Sequence, residues 1–338
     1  MLHINCTLSV WINNPEESNN PYITISSIAI NCFLIHLCAI VGTFGNAVAI
    51  IILSRKTFTD TSSVILLSMA ACDLFFLVNL SVCKLNCIIN MINPVIAEIY
   101  YPYIVSFIRR PSRLAMFLSV SHTVVISCER LLSVFFPLHV SQWITRKTTK
   151  RILVFIYCAW TAYVTPYAVF NYQIEWTFNS NYNQTMPTFR ETQWFLENKP
   201  VFDLLTHIVI NNITVLFTVI VAVNSCAISY RLNTVSKQRK LITSTNKNRS
   251  QIDVKASRML LAVCVVYNVC NIPSSAIYLH FNIDSSLEPS NKLYMLLSDL
   301  EEMMMAINAA ANFFVYTFMS GRFYRSVLRL IGCGRLVK

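Results

Sequence analysis

Residues 116–139 read MFLSVSHTVVISCERLLSVFFPLH. A mostly apolar run ends there on an acid and a base side by side, Glu129 and Arg130, and Pro137 follows two turns later. Ser119 lies 11 residues before Arg130, roughly 16 Å along a helix axis. With Arg130 at one face of a lipid bilayer, Ser119 sits near mid-depth. An unpaired arginine at such a boundary is costly, so Glu129 is its natural counter-charge. The stretch reads as the inner half of a membrane-spanning helix.

Composition agrees. Of 338 residues, 55% are hydrophobic and 13% charged, whereas a soluble domain carries roughly 25% charged residues. Too little polarity remains to cover a water-facing surface, so membrane lipid is the expected neighbour. A spanning helix needs about 20 mostly apolar residues. Seven segments qualify, at 22–53, 61–83, 102–136, 149–170, 202–230, 257–281 and 293–319. The expected fold is all-α, a seven-transmembrane helix bundle over 22–319 between an outer tail, 1–21, and a short inner tail, 320–338. In that inner tail Phe323, Val327, Leu330 and Ile331 share one face and Arg322, Arg325 and Arg329 lie off it. This predicts a short amphipathic eighth helix on the membrane surface. The outer tail is polar and carries Glu16 and Glu17, so the first span, not a signal peptide, is expected to target the membrane.

Lysine and arginine set the orientation. Twenty lie on the C-terminal side and four on the N-terminal side, namely Lys84, Arg190, Lys199 and Lys292, while Arg109, Arg110 and Arg113 lie in or near the outer part of the third span. The C-terminus is therefore expected in the cytoplasm and the N-terminus outside the plasma membrane. The net charge of +11 is this topology signal, and no nucleic acid is expected as a partner. Sequons at Asn5 and Asn183 fall on the outer side, as glycosylation requires. Most of the twelve cysteines, Cys32 among them, lie in apolar runs and read as small buried side chains. Cys333 reads as a palmitoylation candidate or as a plain thiol.

Polar groups inside lipid are expensive and therefore informative. They run in order: Asn46 in the first span, Asp73 in the second, Ser119 and Glu129-Arg130-Leu131 in the third and Trp160 in the fourth. Tyr267 and Cys270-Asn271-Ile272-Pro273 follow in the sixth, then Asn308 and Asn312-Phe313-Phe314-Val315-Tyr316 in the seventh. In this order they resemble the rhodopsin-like (class A) G protein-coupled receptors, from about residue 30 to 330. The sixth- and seventh-span motifs are similar to those of invertebrate peptide receptors, notably nematode FMRFamide-like receptors.

The resemblance implies roles. Glu129 holds Arg130 at rest, and Arg130, Leu138 and Tyr316 serve coupling to a heterotrimeric G protein. Tyr267, Asn271, Pro273 and Asn312 form the activation switch. Asp73, Ser119, Asn308 and Asn312 match a cluster that binds a sodium ion in many relatives. Sodium and protonation are both open for Asp73, and no other cofactor is expected. Three departures stand out. The family's outer disulfide is missing its partners, because Val105 occupies the third-span position and residues 171–200 hold no cysteine. Cys6, Cys83 and Cys87 remain as outer-side candidates for a substitute. The fifth span has no proline between Val201 and Arg231, which removes the usual cause of its bulge, and Phe313 replaces the seventh-span proline, which predicts a straighter helix.

At the outer end, Arg109, Ser112, Arg113 and Met116 of the third span face Asp299, Glu301 and Glu302 of the seventh. One reading is internal salt bridging between these spans. The other is ligand recognition, with an arginine of a peptide received by Glu301 or Glu302 and a carboxylate or amide by Arg109 or Arg113. Three acids so close repel unless a cation lies nearby, which favours an arginine-bearing peptide. A chemosensory receptor for a small molecule is the alternative. A transporter or channel is disfavoured, because broken helices need glycines and only 5 occur. A light sensor is disfavoured by Ala306, where the family's retinal lysine would stand. No nucleophile–base pair or metal-ligand spacing suggests an enzyme.

Overall fold

The computed structural model describes residues 21–55, 60–137, 139–206, 208, 212–241, 247–283 and 292–330. Asn5, Leu138 and Cys333 lie outside these residues. The helices are α1 (Pro21–Leu53), α2 (Thr61–Ile92), α3 (Pro94–Phe135), α4 (Arg146–Phe170), α5 (Gln193–Thr206), α6 (Thr214–Leu241), α7 (Lys247–Ile283), α8 (Lys292–Met319) and α9 (Gly321–Leu330). Six of them are apolar and long enough to cross a membrane. The seventh span is α8, whose outer half carries Asp299, Glu301 and Glu302; it reaches the same measure only together with α9, from which it bends by 101°.

The α2–α3 junction lies nine residues beyond the expected end of the second span, and its chemistry is local. The Asn93 side chain accepts the Val95 and Ile96 N–H groups at 3.0 and 3.3 Å, and Pro94 occupies the first turn. An Asn cap followed by proline is a strong helix start. Inside α3, Pro102 and Pro111 flank a wide π turn, Ile104–Ile108, closed by the Arg109 N–H on the Ile104 carbonyl. Pro111 therefore neither begins nor ends the helix. Residues 212 and 213 also take π geometry just ahead of α6, so a wide turn forms there without a proline.

The spans close a ring in which α1 packs on α2, α2 on α3, α3 on α6 and α7, α6 on α7, α7 on α8, and α8 back on α1. α4 stands at the periphery, joined to α3 by the Trp160 ring stacked 4.5 Å from Phe117 and by Trp160 Nε1 donating to Ser121 at 2.8 Å. The α1–α8 contact is close. A Cβ on Gly42 would lie 2.7 Å from Ala310 Cβ, and one on Gly45 would lie 2.8 Å from Phe313 Cβ. Phe313, in place of a proline, fills the space over Gly45, and α8 runs unbroken over 28 residues. In α9, Phe323 and Val327 are buried, and Phe323 meets the Phe313 and Tyr316 rings. Leu330 is exposed and Ile331 is not among the described residues.

Two outer features add to the expected fold, a hairpin that was not foreseen and a disulfide of which Cys87 alone was among the expected candidates. Residues 172–191 form a hairpin, β1 (Tyr172–Asn179) antiparallel to β2 (Gln184–Glu191), with Tyr172 opposite Glu191. Phe189 touches Tyr101 and Tyr172 at 5.7 and 5.1 Å, and the Arg110 guanidinium lies 5.1 Å from the Tyr172 ring. Aromatic and cation–π contacts thus tie the hairpin to α3, where the family's outer disulfide, whose cysteines this chain lacks, would otherwise do so. Among the described residues the disulfide is Cys32–Cys87, joining α1 to α2. This corrects the reading of Cys32 as a plain buried side chain. Its depth in an apolar run hid the fact that the longer α2 carries Cys87 alongside it.

Candidate functional site

Three polar centres lie along the bundle, and α2 contributes to each. Its end near Arg130 is called inner, following the charge asymmetry.

At the inner end, Arg130 Nη2 lies 2.9 Å from Glu129 Oε1. Thr61 and Ser62, in the first turn of α2, each donate to the same Glu129 oxygen at 2.9 Å. Ser62 Oγ also accepts from Arg130 Nη2. The expected pairing is present, and the α2 hydroxyls are an addition that the sequence reading missed. The clasp pairs one Glu129 oxygen and Arg130 Nη2, both on side chains largely withdrawn from solvent, and leaves Glu129 Oε2 and Arg130 Nε buried without a hydrogen-bond partner among the described residues. Tyr316 and Tyr267 are fully buried in the inner apolar core beside Val263 and Cys264. Asn271 Nδ2 donates to the Tyr267 carbonyl at 2.9 Å, and Pro273 follows within the continuous α7.

At mid-depth, Asp73 is fully buried. Ser119 Oγ donates to one carboxyl oxygen at 2.5 Å and Asn312 Nδ2 to the other at 2.8 Å. Asn308 is buried one turn from Asn312 on α8. The structure therefore brings Ser119 and Asn312 onto Asp73. Two neutral donors alone leave a buried carboxylate undercompensated, so the centre has room in its electrostatics for a proton or a small cation. Asn46 braces the neighbouring helices, donating to the Gly42 and Ala309 carbonyls, each at 3.0 Å.

At the outer end, Lys84 is 2% exposed and its Nζ lies 3.3 Å from Asp299 Oδ1 and 2.7 Å from Glu302 Oε2. Ser27 of α1 donates to Asp299 Oδ2 at 2.5 Å. This corrects one expectation: Lys84 is not in an outer loop, because α2 continues past it, and α2 also bridges to Asp299 and Glu302 of α8. The signal was present in the sequence: Lys84 is 11 residues from Asp73, three turns on, and so lies on the same face. Arg109, Ser112, Arg113, Met116, Glu301, Glu302 and Met305 line one cavity of about 30 Å³. Asp299 is instead turned to Lys84 and Ser27.

The model of the 7 transmembrane receptor (rhodopsin family) matches residues 45–316. The chain belongs to this family. It is a family of signalling receptors, and the seven-helix bundle with its Glu129–Arg130 clasp and buried Asp73 is its architecture here. The receptor is similar to Somatostatin receptor type 2 of Mus musculus, 21% identical over 94% of this chain and 84% of that protein. It is likewise similar to the FMRFamide receptor of Drosophila melanogaster, at 21% over 96% of this chain and 58% of that protein. FMRFamide peptide receptor frpr-18 of Caenorhabditis elegans is 24% identical over 87% of this chain and 68% of its own length. The receptor is thus a multi-pass membrane protein with peptide receptors among its relatives.

Proposed function

We propose that a peptide activates this receptor from the outer side and that the inner end passes the signal to a heterotrimeric G protein. The observation that carries this reading is the pairing of a closed Arg130 clasp at one end with a charged cavity at the other. The clasp joins α2 to α3, and the cavity is lined by α2, α3 and α8, so a change in the outer packing of α2 and α3 has a direct route to the clasp. The names of the three relatives support a peptide as the ligand class. At about 30 Å³ the cavity has room for one inserted group, and the rest of a peptide would lie above it.

In this proposal Glu129, Arg130, Leu138 and Tyr316 serve coupling. Tyr267, Asn271, Pro273 and Asn312 form the switch, and Asp73, Ser119, Asn308 and Asn312 hold a sodium ion at rest. The N-terminus lies outside. Asn183, exposed at the hairpin turn with a φ of 50°, carries a glycan in the same reading. The test is a screen of short synthetic peptides and of small volatile and water-soluble molecules, read as activation of a promiscuous G protein in cells. Activation by peptides supports the reading. Activation only by small molecules would replace the peptide with a chemosensory ligand.

A further inference from the structure

We infer that the outer cavity receives a carboxylate of the ligand, gripped by Arg113 with Arg109 beside it. This deepens the peptide-receptor proposal and rests on it. The sequence alone pointed toward a ligand arginine, because three acids crowd the outer end of α8. The structure supplies their cation internally. Lys84 reaches Asp299 and Glu302 at 3.3 and 2.7 Å, and Ser27 donates to the second Asp299 oxygen. An incoming guanidinium would find two of its three acids already occupied. It would also meet Arg109 and Arg113 as like charges.

The opposite chemistry is what the cavity lacks. Arg109 and Arg113 line the cavity with Glu301 and Glu302, and Glu302 is already taken by Lys84. Among the described residues, Arg113 Nη2 is buried without a hydrogen-bond acceptor, and so is Nη1 of Arg110 beside it. A desolvated N–H on a charged group is expensive to leave unmet. A guanidinium offers two parallel N–H bonds that match the two oxygens of a carboxylate. Size is compatible, since a space of about 30 Å³ takes a small planar group or one or two waters. Ser112, buried on the same α3 face, adds a hydroxyl to the lining.

The carboxylate can come from an acidic side chain or from a free C-terminus, and four probes separate these sources. They are N-acetyl-Phe-Glu amide, N-acetyl-Phe-Gln with a free C-terminus, N-acetyl-Phe-Gln amide and N-acetyl-Phe-Arg amide. Each is added to the purified full chain in detergent and thermal unfolding is followed. We expect one or both carboxylate probes to raise the unfolding temperature above the value with the neutral amide, the more effective one identifying the source. Arg113→Gln should lose that difference and Arg113→Lys should keep part of it. Equal shifts with all four probes, a larger shift with the arginine probe, or an unchanged carboxylate effect in Arg113→Gln would each overturn the inference. The comparison among probes on the wild type needs no variant to fold. The two proposals fail separately. An agonist peptide without any carboxylate would remove this inference and leave the peptide receptor standing. A carboxylate effect in a receptor that only small molecules activate would do the reverse.

Discussion

Burying Lys84 against Asp299 and Glu302 is tolerable only because each charge finds a partner. Removing one member of such a group typically costs about 3–5 kcal/mol, because the remaining charge stays buried. Lys84→Gln should therefore lower the unfolding temperature of the detergent-solubilised receptor markedly. Adding Asp299→Asn and Glu302→Gln to it should restore much of the loss. A triple variant less stable than the single one would show that the acids have other essential partners. Asp73 is the second residue whose burial demands compensation, and Ser119 and Asn312 supply only neutral donors. Agonist affinity should fall as sodium rises, and Asp73→Asn should abolish that dependence. Equal affinity in sodium and in a bulky organic cation would exclude an ion at this centre. Asp73 was legible in the sequence because a carboxylate within a spanning segment stands out. Lys84 was not, because a lysine one residue past an expected helix end looks like a loop residue.

Among the elements, α2 organises the receptor. Ser62, Asp73 and Lys84 stand 11 residues apart and so share one stripe. The stripe meets the Glu129–Arg130 clasp, the mid-depth centre and the outer acids in turn. The outer end of α2 is also held by the Cys32–Cys87 disulfide, one turn above Lys84. A cross-link spanning 55 residues is worth up to about 4 kcal/mol by chain entropy. The effect is smaller here, because helices already inserted in a bilayer have less freedom to lose. Cys32→Ser should lower the unfolding temperature by a few degrees, and a reductant should do the same to the wild type while leaving the variant unchanged. A wild type indifferent to reductant would argue against the bridge. Cys87 was among the expected candidates, whereas its partner Cys32 and the hairpin escaped the sequence reading for different reasons. A cysteine in an apolar run has no local mark of its partner, whereas the strands carry a weak alternation that long helices on either side obscured.

At the scale of the whole molecule, seven apolar segments and one polar marker in nearly every span were enough to read the bundle and its family. Helix boundaries were less legible where they depend on caps and π turns, as at Asn93-Pro94 and Ile104–Ile108. Pairings were legible between neighbours, as for Glu129 and Arg130, and across the bundle where the family resemblance grouped the residues, as for Asp73 with Ser119 and Asn312. The choice of partner between α2 and α8 depends on helix length and rotation, which periodicity leaves loose. The central claim is that the receptor signals to a G protein through the clasp at Arg130. The most direct test is agonist-driven nucleotide exchange on a heterotrimeric G protein reconstituted with the purified receptor, compared between wild type and Arg130→Ala at equal surface density. Exchange is predicted to rise with agonist for the wild type and to stay at the agonist-free level for Arg130→Ala. Wild-type exchange in the variant would contradict the account.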